Sequence, residues 1–216
     1  MCILGKILYE EIYIMKSMKI TSKIILFLFI CLIYIVLPLS ILFGLINFDY
    51  KFYALTIGAI VVYGVFRLFG FTNLELGITV QNAKKSIIHI LPLTIVLAII
   101  GIAIWISGYS RITPNEQWSF FLFYIFISSP VQEFLYRGVL EAALEKYNLP
   151  YIVRMIISTS LYSFVHIIYR DWLTLLLTFI IGLIWYFCYQ KTKNLTGVSI
   201  SHAVLGVVTI VAGIID

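Results

Sequence analysis

The sequence predicts an all-α protein, a polytopic membrane helix bundle of about seven transmembrane helices. Three observations predict it. Of 216 residues, 62% are hydrophobic and only 12% charged, and the mean hydropathy is +1.05; soluble domains do not have such a composition. Apolar runs long enough to cross a bilayer as helices, about 17–25 residues, recur along the whole chain. The connections between runs are short, which leaves no room for a soluble domain, and a helical bundle satisfies every backbone polar group within lipid.

Seven spans follow, at residues 24–46, 52–70, 87–107, 118–146, 151–169, 172–188 and 195–214. Ahead of them residues 1–23 form a charged, partly amphipathic lead, and residues 24–216 form a single transmembrane domain. The first apolar run is too long for a secretory signal and lacks a small-residue cleavage pattern. Cys2, Cys31 and Cys188 show no disulfide or metal spacing and read as inert thiols.

Lys and Arg orient the bundle. Eleven of them (Lys6, Lys16, Lys19, Lys23, Arg67, Lys84, Lys85, Lys146, Arg154, Lys191 and Lys193) lie on the side of the N-terminus. Three, Lys51, Arg111 and Arg170, lie on the other side. The excess predicts a multi-pass protein of the cell membrane with a cytoplasmic N-terminus. The net charge of +5 then reflects basic loops at anionic lipid, not nucleic-acid binding.

Function has to come from side chains that point into the bundle, and three segments supply them. The first is SSPVQEFLYRG, residues 128–138, inside the fourth span. Ser129, Pro130 and Gln132 read as a helix start, which predicts a break near Ser129 with Glu133 in the first turn of a new helix. Arg137 stands four residues after Glu133, on the same face, and Glu141 and Glu145 continue that stripe. Charges at membrane depth are costly and mark function or a compensated structural pair.

The second segment is STSLYSFVHIIYR, residues 158–170. Thr159, Tyr162, Ser163, His166 and Tyr169 recur at helical spacing as one polar face. Spans four and five are joined by a short turn and are therefore antiparallel partners. Glu133 lies 16 residues before Leu149 and His166 17 after it, so at the helical rise the two reach similar depth, with Arg137 opposite Tyr162. A carboxylate and an imidazole at one depth are what acid–base chemistry requires.

The third segment is NLTGVSISHAVLGVV, residues 194–208, which aligns Ser199, His202, Gly206 and Thr209. Its small residues predict close helix packing, with a His that finds a carbonyl. His89, beside Lys84 and Lys85, reads as interfacial.

Together the three segments resemble the CPBP family of intramembrane proteases, also called the Abi or CAAX prenyl protease 2-like family. Its pattern is Glu-Glu-x-x-x-Arg on one helix, Phe-x-x-x-His on the next and His-x-x-x-Asn or Asp near the end. The matching stretches run from Gln132 to Gly138, Tyr162 to His166 and His202 to Gly206, and the likeness covers about 74–210. Three positions depart from the pattern: Gln132 replaces the first Glu, Tyr162 the Phe and Gly206 the final Asn or Asp.

The resemblance implies an intramembrane endopeptidase that cleaves hydrophobic or prenylated peptides. Glu133, His166 and His202 are its implied catalytic residues, supported by Gln132, Arg137 and Tyr162. An amide cannot take a proton from water, so Glu133 is the expected base. Glu133, His166 and His202 are chemically able to hold zinc, but no His-Glu-x-x-His pattern is present, and no cofactor is expected. The expected partners are the lipid bilayer and a hydrophobic peptide or prenylated protein tail, with no nucleic acid. The alternative is a non-catalytic relative acting in bacteriocin self-immunity or as a peptide-binding scaffold, which Gln132 and Gly206 favour. A transporter also uses broken helices, but the sequence shows no internal repeat.

Overall fold

A computed structural model describes residues 20–215. Most of the N-terminal lead, with Cys2, Lys6, Lys16 and Lys19, lies outside the described residues, as does Asp216. The described chain is helical throughout its folded elements: α1 Thr21–Leu42, α2 Phe48–Leu68, α3 Ala83–Ile106, α4 Trp118–Lys146, α5 Tyr151–Tyr169, α6 Trp172–Gln190 and α7 Thr196–Val211. Six are long and apolar enough to cross a membrane, and α7 is shorter than the span expected at 195–214.

Apolar side chains face outward on every helix, among them Phe27 and Leu28 on α1, Ile57 and Ile60 on α2, Ile99 on α3 and Ile180 on α6. Glu133, Arg137, Glu141, Ser158, Thr159, Thr174 and His202 are buried inside. This inside-out arrangement suits a lipid surround, because polar groups inside the bundle find partners there instead of facing hydrocarbon.

The helices run alternately, so the chain has two ends. Lys23, Arg67, Lys84, Lys85, Lys146, Arg154, Lys191 and Lys193 gather at the end where α1 begins, whereas Lys51, Arg111 and Arg170 lie at the opposite end. Helix α7 packs most extensively on α3, α5 packs on α6, and the middle of α4 lies against α7. Small residues permit the α3–α7 approach: a Cβ on Gly197 would strike the carbonyl of Ser86, and one on Gly101 the side chain of Val208. Thr94 and Ser201 hydrogen-bond across the same seam at 2.7 Å, as expected of small and hydroxylated residues between membrane helices.

The break expected near Ser129 is not there. Ser128 is in helical geometry and caps nothing, and α4 runs on through Pro130. Two wider, π-helical turns replace the break, at Tyr124–Ser128 and at Phe134–Val139. Proline removes an N–H and crowds the carbonyl four residues back; widening the preceding turn relieves both without ending the helix. Helix α1 does the same, with a π turn at Leu32–Val36 before Pro38, although Pro92 in α3 is carried without one. Glu133 is therefore mid-helix, and no exposed helix N-terminus stabilises its charge.

The second π turn is stitched to its neighbours. The Tyr34 hydroxyl donates to the carbonyl of Leu135 and the Ser158 hydroxyl to that of Tyr136, each at 2.7 Å. A Cβ on Gly138 would strike the carbonyl of Leu76, so the connection between α2 and α3 closes over α4 at this point.

Candidate active site

Glu133 and Arg137 face the same way from one helical turn of α4, and both are completely buried. The guanidinium donates from one terminal nitrogen to Glu133 Oε1 and from the other to the carbonyl of Gly182 on α6, each at 3.3 Å. Its carbon lies 4.1 Å from the centre of the Tyr162 ring and 5.5 Å from that of Trp185. The depth arithmetic thus brings Arg137 and Tyr162 face to face. A cation in this place is held by a carboxylate, a carbonyl and two aromatic faces, which together offset its removal from water.

His202 of α7 does not find a carbonyl. Its Nδ1–H donates to Glu133 Oε1 at 2.7 Å, and its ring stacks on Trp185 with centroids 4.5 Å apart. Its Nε2 lies 3.4 Å from the Tyr162 hydroxyl, so the tyrosine standing at the Phe position adds a polar partner there. Both imidazole nitrogens of His202 are engaged within the protein.

His166 stands apart from that pair. It belongs to a 3₁₀ turn, Val165–Tyr169, that ends α5. Its Nδ1 lies 2.9 Å from the carbonyl of Tyr162. A carbonyl only accepts, so Nδ1 carries the proton and the neutral ring keeps its lone pair on Nε2. The tighter rise of the 3₁₀ turn carries His166 further along the bundle axis than regular α-helix spacing, and the Tyr162 ring, centred 5.2 Å from His166 and 5.7 Å from His202, stands between the two imidazoles. The structure therefore joins Glu133 to His202 directly and sets His166 beyond Tyr162.

Among the described residues no three His, Cys, Asp or Glu side chains group as metal ligands. Both nitrogens of His202 are taken up by Glu133 and Tyr162 in this arrangement.

An apolar cavity of about 130 Å³ lies between α1, α2, α4 and α5. Ile33, Leu37, Leu55 and Phe120 supply its greasy wall, and Gln132, Ser128, Tyr124 and His166 its polar groups. Glu133 and His202 are not on its surface. Gln132 is, and it donates from its amide nitrogen to Ser128 Oγ at 3.0 Å. Behind this wall lies a group of buried polar atoms with no protein partner among the described residues: Gln132 Oε1, Glu133 Oε2, Arg137 Nε and Thr159 Oγ1. Unpartnered buried polar atoms are rare in native proteins and cluster where water or a ligand is handled.

Sequence reasoning missed Tyr124, Ser128 and Trp185. In an apolar run an aromatic residue facing the site looks like one facing lipid, so only Ser128, beside the Ser129–Pro130 pair, carried any signal. Tyr124 also explains the departure at Gly206: its hydroxyl occupies the space that a Cβ at Gly206 would need. The third motif thus lacks its own polar side chain but has a phenol there from α4.

Comparison with known proteins agrees with the motif reading. A family model described as Rce1-like, type II CAAX prenyl endopeptidase Rce1-like, matches residues 114–208. The matched stretch contains all three motifs and leaves residues 74–113 outside it. No curated protein and no solved structure matches the chain.

Proposed function

We propose that this chain, a relative of the type II CAAX prenyl endopeptidases through residues 114–208, is an intramembrane endopeptidase that admits an apolar peptide to the cavity beside Gln132 and His166. The observation that carries this reading is two buried acceptors without protein partners on consecutive residues of α4, Gln132 Oε1 and Glu133 Oε2. A water donating one hydrogen to each has a lone pair left to attack a peptide carbonyl.

Glu133 takes the water proton and returns it to the departing amine. Arg137 and His202, the latter pinned by Tyr162 and Trp185, fix the Glu133 carboxylate through Oε1 and leave Oε2 for the water. His202 is thus a positioning residue, not a donor to the oxyanion. Ser128 accepts from Gln132, so its own O–H is directed to the developing oxyanion in a nearly dry site, where such donors count most. The lone pair on His166 Nε2 accepts the N–H of the scissile amide.

The test is cleavage of apolar peptides, with and without a prenyl group, by protein in liposomes. Glu133→Gln is expected to lower the rate by about 10²–10⁴-fold, the usual share of a general base, and His166→Ala to impair cleavage as well. Normal cleavage by Glu133→Gln would overturn the mechanism.

A second reading is favoured by one specific observation: the cavity wall carries the amide of Gln132, while Glu133 has no exposed surface. On that reading the chain binds peptides without cutting them, as an immunity factor or scaffold would. Wild-type protein would then retain a peptide intact, and Gln132→Glu, which places a carboxylate on the cavity wall, would initiate cleavage.

A further inference from the structure

We infer that a second site, at the end of the bundle where Lys and Arg gather, binds a phosphate-bearing anion, in the membrane the headgroup of an anionic phospholipid. It is separate from the cavity beside Gln132 and stands or falls independently of the peptidase reading.

Three connections meet there around an open hollow: the one between α2 and α3 at Asn82, the turn between α4 and α5 at Asn148, and the turn between α6 and α7 at residues 191–193. Four cations line it, Lys146, Arg154, Lys191 and Lys193, against the carboxylates of Glu75 and Glu145. With the buried Glu141 behind them the count is four against three, still positive. Lys146 pairs with Glu75, and Arg154 and Lys193 pair with Glu141. Lys191 lies over the ring of Phe187, 4.5 Å from its centre, and has no carboxylate partner among the described residues. Thr192 beside it is 5% exposed, and its Oγ1 is a buried hydroxyl without a protein partner. A hydroxyl of this kind is satisfied by something that is not protein, and an oxyanion with several acceptor oxygens answers both it and the ammonium. Helix α3 starts directly after Asn82 without a side-chain cap, so its positive end stands at the rim. The backbone agrees. Among the described residues four non-glycine residues have positive φ, and Asn82, Asn148 and Lys193, at 59°, 57° and 50°, are three of them. Asn tolerates that region and Lys does so rarely; such strain collects at ligand sites.

The setting favours a lipid over a free anion. Ends of membrane proteins that are rich in Lys and Arg face anionic headgroups. Leu74, on the wall of the hollow, is 54% exposed, and Val80, in the same connection, is 91% exposed. A dissolved phosphate has no use for apolar groups at the rim, whereas a phospholipid lays its acyl chains on them while its headgroup enters the hollow.

The test uses the full chain in mild detergent, titrated with short-chain phosphatidylglycerol and followed by native mass spectrometry and thermal unfolding. The wild type is expected to retain this lipid several-fold more tightly than short-chain phosphatidylcholine and to unfold at a higher temperature in its presence. Lys191→Gln should weaken retention roughly fivefold, the usual share of one cation at anionic lipid. Thr192→Val should also weaken it, yet leave the unfolding temperature without lipid unchanged or raised, because it removes an unsatisfied buried hydroxyl. Lys85→Gln, at the same end but off the hollow, should change retention little. Equal losses from Lys85→Gln and Lys191→Gln, or equal retention of the two lipids, would overturn the site and leave ordinary charge attraction. So would unchanged retention in both Lys191→Gln and Thr192→Val. Inorganic phosphate should fail to displace the lipid at equal concentration; displacement would overturn the lipid assignment and give the site to free phosphate.

Discussion

Glu133 and Glu141 are two buried carboxylates on one helix, and only one of them has all its partners. Glu141 is 1% exposed and saturated: Tyr186 donates to Oε2 at 2.5 Å, while Arg154 and Lys193 reach Oε1 at 3.2 and 3.0 Å. Those partners come from α5, α6 and the turn before α7, so Glu141 ties four segments together at the basic end. Glu133 has Arg137 and His202 on a single oxygen and nothing on the other. Burial alone does not distinguish a staple from a reactive group, but the difference in satisfaction does. A carboxylate with a spare oxygen, among other unpartnered polar atoms and beside a cavity, is equipped to hold something that is not protein.

The largest expected effect tests the Glu133 side of this contrast. Glu133→Gln should lose cleavage and also stability, since it strands a buried guanidinium, at a cost of about 3–5 kcal/mol. Adding Arg137→Met removes the stranded charge and should restore most of the thermal stability in detergent, because apolar replacements of buried pairs are often neutral. Cleavage should stay absent in the double variant. If cleavage returned with stability, Glu133 would be a staple like Glu141.

Next in size is Glu141→Gln. Arg154 and Lys193 both reach toward solvent, so the loss should be nearer ~2 kcal/mol than the ~3–5 kcal/mol of a sealed pair. Thermal unfolding should register the loss, while cleavage per folded molecule stays unchanged. A drop in specific activity would contradict the purely structural role.

Why one carboxylate was legible in the sequence and the other was not has a physical basis. Glu133 and Arg137 are neighbours through helical periodicity, and Tyr162 reaches them through one short turn, so simple rise-per-residue arithmetic locates all three. Hydropathy likewise delineates the spans, because lipid-facing surfaces have only one composition. Glu141 gathers partners from distant parts of the chain, and on the page Arg154 and Lys193 look like ordinary loop cations. Pro130 misled because a proline after serine marks a helix start in water; inside lipid, ending a helix leaves backbone groups unpaired, and a π turn costs less. Gly206 looked like a missing polar helper, since its filling by Tyr124 depends on how α4 and α7 cross, which no local pattern encodes.

That filling yields a smaller prediction. Gly206→Ala forces its new methyl into the Tyr124 hydroxyl, and overpacking of this kind typically costs about 1–3 kcal/mol. Tyr124→Phe in the same chain removes the obstructing oxygen and should recover part of the loss in thermal unfolding. Failure to recover would mean that the α4–α7 contact, and with it the His202–Glu133 pairing, is less closely fitted than described.

The smallest effect concerns a third carboxylate, Asp171, in the turn between α5 and α6. It caps α6, accepting from the Thr174 amide at 3.0 Å and the Thr174 hydroxyl at 2.5 Å, and pairs with Arg111 at 2.5 Å. Burial pushes its carboxyl up, but the Thr174 hydrogen bonds and the Arg111 charge outweigh that and hold it below the usual range. A group with a lowered folded-state pKa contributes stability above its unfolded value, near ~3.9, and loses that contribution as pH falls through the folded value. Asp171→Ala should therefore cost about 1 kcal/mol at neutral pH, the usual worth of a cap, and the gap to wild type should narrow below about pH 4. Like Glu141, Asp171 has its partners in place, so its loss should leave cleavage per folded molecule untouched. A gap that persisted undiminished at low pH would show that the cap's shape matters, not its charge.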